Sequence, residues 1–103
     1  AQARLRAATA REAIVRADFL QEVAQARAEF LAAEARVDTL SNTSLPQAEE
    51  ALRLVRIGYR AGRFPLIEVL SAAEARDAIR NALIDAQETR GQAAARLIRL
   101  SAL

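Results

Sequence analysis

The chain has 103 residues and a hydrophobic content of 52%, enough for one modest domain. The kind of apolar residue argues against a globule: aromatics are 4%, Trp and Met are absent, and about a quarter of the chain is Ala. Small side chains of high helix propensity favour thin, closely packed helical layers.

Charge and chemistry exclude several classes of function. Fifteen basic residues face thirteen acidic ones, a net charge of +2, and the two signs are interspersed along the helices in the manner of solvated faces. No basic stripe with interleaved aromatics is present, so nucleic-acid binding is not expected. The absence of Cys and His removes thiol chemistry, thiolate or imidazole metal ligation and the commonest general base. No nucleophile–base pair, carboxylate dyad or phosphate-binding glycine loop occurs, so neither catalysis nor a cofactor is expected. Adjacent acids such as Glu49 and Glu50 point in different directions on a helix. No apolar run approaches the ~18 residues needed to span a bilayer. The chain starts without Met in a pattern that is already helical and reads as a piece of a larger protein, so the lack of a targeting signal does not fix its location.

The first element is a long helix, about residues 2–41. Phe19, Val23, Ala26, Phe30, Ala33, Val37 and Leu40 recur in alternating steps of four and three, the heptad spacing of a coiled-coil seam. A second stripe, Ala13, Ala17, Leu20, Ala24 and Leu31, lies one residue further round, so neighbours are expected on two sides.

At Ser41-Asn42-Thr43-Ser44-Leu45-Pro46 the polar run and the proline predict a break or kink. Ser44 suits an N-cap, with Pro46 in the first turn of the next helix and Gln47 at the third position after the cap. That helix, about residues 46–61, carries Ala48, Leu52, Val55 and Tyr59 on one stripe and Ala51, Leu54 and Gly58 beside it.

Gly62 is placed as the left-handed residue that closes this helix, and Pro65 suits the first turn of the next. The tip turn, 61–65, is short enough to make the flanking helices antiparallel neighbours. A third helix, about residues 65–101, repeats three-four spacing through Val69, Ala72, Arg76, Ile79, Leu83, Ala86, Arg90, Ala93, Leu97 and Leu100. At ~1.5 Å per residue it is ~55 Å long, too long for a globule with a radius of gyration near ~13 Å. The expected fold is therefore all-α: a long antiparallel helical hairpin of coiled-coil type, broken near 41–46. By itself the segment is expected to self-associate or to fold back at the break as a three-helix bundle. The turn places Tyr59, Arg60, Arg63 and Phe64 at an exposed tip, residue types that protein interfaces favour. The same residues also suit a plain hairpin staple.

Ala48-Glu49-Glu50-Ala51-Leu52, Gly58-Tyr59-Arg60-Ala61-Gly62-Arg63-Phe64 and Leu66-Ile67-Glu68-Val69-Leu70-Ser71-Ala72 together resemble the TolC-type outer-membrane factors, most of all the CzcC-like heavy-metal efflux branch. The specific part covers about residues 45–103. The resemblance implies a homotrimeric channel-tunnel with a β-barrel in the outer membrane, outside this chain, continued by a periplasmic helical barrel to which this hairpin belongs. It further implies that the tip, with Tyr59, Arg60, Gly62, Arg63 and Phe64, docks a periplasmic adaptor (membrane fusion) protein. That adaptor in turn engages an inner-membrane pump of the resistance-nodulation-division class. Glu68 corresponds to an acidic position that lines the tunnel constriction in relatives. Ser71 stands where Asp is usual, so a second carboxylate ring is not implied. The competing readings are a scaffold or interaction hairpin, including that of an adaptor, and an amphipathic helix pair lying on a membrane, which the lack of Trp disfavours.

Overall fold

The computed structural model describes residues 1–103 and contains two antiparallel helical arms joined at one tip. The first arm is continuously helical. It comprises α1 (Gln2–Thr39), a π-helical turn (Leu40–Ser44) and α2 (Leu45–Arg60). The second arm is α3 (Leu66–Ser101). The molecule measures 88 × 20 × 14 Å with a radius of gyration of 24.0 Å, a rod two helices wide. No fold-back occurs, so the three-helix arrangement is excluded for this chain.

The polar run does interrupt the α-helix, but by widening it instead of breaking it. Leu45 N–H donates to Leu40 O, five residues back, where an α-helix reaches four. The reason lies in the apolar register. Continuing the seam from Val37 and Leu40 by heptads would place the next members at Ser44 and Gln47. The residues that turn toward α3 instead include Ala48, Leu52 and Val55, one position later. A π-turn accommodates one extra residue and so returns the seam to the same face. It also opens space beside Pro46, which lacks an N–H and would crowd the carbonyl four residues earlier in an α-helix. Ser44 consequently has helical geometry, φ −66° and ψ −48°, and makes no capping hydrogen bond, contrary to the expectation that it starts a new helix.

Every member of the first seam, Phe19 to Leu40, is buried or half-buried, as is every member of the long α3 series, including Arg76 and Arg90. Only seven residues are fully buried, and four are alanines: Ala26 and Ala33 on α1, Ala86 and Ala93 on α3. Two alanines seven residues apart on each facing stripe let the backbones approach closely, since interaxial distance follows the side chains at the contact. Ala33 and Ala86 line a single cleft between the arms. Leu52, 2% exposed, is the one large side chain that is completely enclosed. The second α1 stripe, with Leu20 and Leu31, is exposed, as are Leu5, Ile14 and Val15. The hairpin therefore satisfies one apolar face per arm and leaves the other open.

Polar groups add little to this packing. Thr9, Thr89 and Ser101 donate to the carbonyls four residues before them, which satisfies the hydroxyls within their own helices. Glu29 and Arg96, 3.2 Å apart, form an ion pair between α1 and α3 that remains partly solvated. No helix is long and apolar enough to cross a membrane.

Candidate functional site at the hairpin tip

The tip is built by a Schellman turn. Arg63 N–H donates to Gly58 O at 2.7 Å and Gly62 N–H donates to Tyr59 O at 3.0 Å, so both carbonyls find partners after α2 has ended. This pattern requires a left-handed residue between the two donors, and Gly62 has φ +74°. No atom lies within 4 Å of where its Cβ would sit, so the constraint at position 62 is conformational and not steric. Most other residues, Asn and Asp apart, would incur roughly 1–2 kcal/mol for the left-handed conformation.

Gly58 is constrained for the opposite reason. It is buried, and a Cβ built on it would run into Cδ2 and Cε2 of the Phe64 ring. The ring thus rests directly on the α2 backbone, closing the turn while remaining 45% exposed on its outer face. Gly58→Ala is expected to lift Phe64 off the tip and to lower stability by about 1 kcal/mol, as overpacking does where a half-exposed ring can move away. Phe64→Ala in the same chain should then make Gly58→Ala nearly neutral. A double-mutant cycle on thermal unfolding measures that coupling.

Pro65 precedes α3, with φ −72° and ψ 161°, as an extended residue at the N-cap, so the helix begins at Leu66. Its carbonyl accepts from Glu68 N–H at 3.1 Å. Glu68 itself is exposed in the first turn of α3, where the helix dipole favours a carboxylate.

The structure therefore brings Tyr59, Arg60, Gly62, Arg63, Phe64 and Glu68 to one end of the rod, all exposed, Tyr59 by 43%. Leu66, Ile67 and Leu70 add an exposed apolar edge beside them. Neither Arg60 nor Arg63 has an ion-pair partner within the chain. The two guanidinium groups, two rings and apolar edge thus surround a turn held closed by its own two Schellman hydrogen bonds. Such an end can bind another protein surface and has no arrangement for bond chemistry. No group of three or more His, Cys, Asp or Glu is gathered anywhere to hold a metal.

One feature that single-helix reading missed lies on the flank behind the tip. Arg53, Arg56 and Arg60 of α2 meet Arg76 and Arg80 of α3 across a shared groove. Arg76 reads in sequence only as an interruption of the α3 seam. Beside this groove Glu50 binds Arg53 with two hydrogen bonds, 2.8 and 2.6 Å. That hydrogen bonding, aided by charge attraction, holds the Glu50 carboxyl below its usual range and raises Arg53 above its own. Both side chains are solvated, so the pair orders the surface more than it stabilises the fold.

Comparison with known proteins agrees with the rod and its tip. No curated protein and no solved structure matches the chain. The family model described as outer membrane efflux protein matches residues 1–102, nearly the whole length, including both arms and the turn. This is a family of channel components and not of enzymes, and the match sets aside the adaptor-hairpin alternative. The chain belongs to the outer membrane efflux protein family and is a helical-hairpin component of an efflux channel.

Proposed function

We propose that the hairpin is a stave of the periplasmic helical barrel of a homotrimeric, TolC-type channel, and that its tip docks a periplasmic adaptor in a tripartite efflux system. The observation that carries this reading is the family match together with a tip closed by the Arg63–Gly58 and Gly62–Tyr59 backbone hydrogen bonds while Tyr59, Arg60, Arg63 and Phe64 are exposed around it. The exposed second stripe of α1 supports neighbours on the other side, as a barrel wall requires. The adaptor would link the channel to an inner-membrane pump of the resistance-nodulation-division class, and Glu68 would face the tunnel entrance.

Within the same reading, the CzcC-like flavour of residues 45–72 points to heavy-metal cations as cargo. With no His or Cys and no acidic cluster, this segment would pass such ions without holding them. Cargo choice would then reside in the pump and adaptor.

The test is made at Gly62 in the intact protein. Gly62→Asn keeps access to the left-handed conformation and should preserve both trimer and efflux. Gly62→Trp should leave the trimer assembled while reducing metal resistance to that of a strain lacking the channel. Unchanged resistance with Gly62→Trp would overturn the docking role.

A further inference from the structure

On one flank, just behind the tip, α2 and α3 bound an open groove of about 470 Å³. Its walls carry Arg53, Arg56, Arg60, Arg76 and Arg80 against the single carboxylate of Glu49. The concentration is local, because the chain as a whole is nearly balanced at fifteen bases to thirteen acids. Spacings of three and four put Arg53, Arg56 and Arg60 on one stripe of α2 that extends for ~10 Å at ~1.5 Å per residue. Arg76 and Arg80, one turn apart, form the facing wall.

Carboxylates of the chain neutralise only part of this charge. Glu50 engages Arg53, Asp77 accepts a hydrogen bond from Arg76 at 2.9 Å, and Glu49 lies 3.7 Å from Arg80. Arg56 and Arg60 have none. Four of the five arginines are exposed and the groove is open, so it does not enclose a compact anion with desolvated donors. A row of guanidinium forks at helical spacing instead matches a row of carboxylates at helical spacing, each capable of bidentate pairing. A neighbouring copy in the same orientation does not supply that row from the other flank. By helical spacing the α2 stripe of that flank, Gln47, Ala51 and Leu54, is uncharged, and the α3 stripe through Ser71, Ala75, Ala78 and Ala82 holds no row of acids, Glu68 standing alone at its tip end.

We propose that this groove receives one helix of the adaptor, with Asp or Glu at positions i, i+3 or i+4, and i+7, alongside the arginine stripe of α2. This inference rests on the tip-docking reading and extends the contact from the turn up the side of the hairpin. The groove supplies charge steering, and the tip supplies the seated end. Complementary charge at an interface acts mainly on association rate and salt dependence.

The test measures binding of the purified adaptor to the intact channel in detergent by surface plasmon resonance, across a range of salt concentrations. Arg56→Glu/Arg80→Glu alters the groove without touching the tip, and Arg56→Lys/Arg80→Lys keeps the charge. The Glu pair should weaken binding about tenfold or more, chiefly through slower association, and should flatten the salt dependence, while the Lys pair retains both. If the Glu pair binds normally with an unchanged salt response while Gly62→Trp abolishes binding, the groove proposal is overturned and the tip reading stands. If Gly62→Trp also binds normally, both fall. Dissociation of the trimer by the Glu pair, seen by light scattering, would assign the groove to contacts between channel subunits and overturn the proposal.

Discussion

Deleting Thr43 alone is expected to destabilise the hairpin by about 3 kcal/mol, and adding Pro46→Ala to the deletion should restore stability to at least the starting value. The deletion removes the residue in excess of the heptad count, so Leu40 and Leu45 become four apart and the two seams join without a π-turn. An α-helix closing over this point traps Pro46 in a helix interior, where proline costs about 3 kcal/mol. Replacing it with Ala removes that conflict. Pro46→Ala by itself should change little, because the extra residue and hence the π-turn remain. Deleting Ala28, in the regular part of α1, provides the contrast. It rotates Phe19, Val23 and Ala26 off the α3 face and should cost several kcal/mol, with no second substitution able to repair it. Thermal unfolding followed by far-UV circular dichroism ranks the variants. If deletion of Thr43 with Pro46→Ala proves as damaging as deletion of Ala28, the register explanation of the π-turn is wrong.

Leu52→Ala should cost about 3 kcal/mol in the same measurement. Loss of a buried leucine side chain ordinarily costs 2–5 kcal/mol, about, and this site has few neighbours able to close over the gap. Leu52 is only 2% exposed in a rod 14 Å thick, where almost every other large side chain touches solvent. Leu54→Ala, two residues on and 52% exposed, is the matched control and should shift the midpoint only slightly. Equal effects of the two substitutions would show that the inter-arm seam does not concentrate stability at position 52.

These two sites also mark how far the sequence is readable. Heptad spacing identifies both arms and every inward position from Phe19 to Leu40, because a two-layer coiled coil has little else to bury. Gly62 and Pro65 locate the turn, because left-handed closure and a blocked N–H are properties of single residues. The Leu40–Ser44 turn is less transparent. Leu40 and Ala48 are eight apart, so the phase slip is present in the sequence, yet a polar run before a proline also has the ordinary signature of a break. Only the packing of both segments on one α3 decides between the two. Gly58 illustrates a smaller limit: the turn motif already places Tyr59 at the exposed tip, but helical spacing does not show that Gly58 takes the inward place so that Phe64 can lie against the backbone. The arginine groove needs knowledge of which α2 residues stand beside which α3 residues, and residue spacing within one helix carries no such information.

The alanine seam also has a mechanical meaning. Two helices lying side by side make the hairpin a ribbon, with overall extents of 20 Å and 14 Å across its length. Stiffness of a beam rises steeply with its depth along the direction of bending, so the ribbon yields across its thickness sooner than within its width. A wall assembled from such staves edge to edge would flex in and out at the free end while resisting lateral splay. The pairing of two helices thus sets the direction in which the hairpin can give, and alanine in place of leucine, by narrowing the pair, softens the resistance to lateral splay.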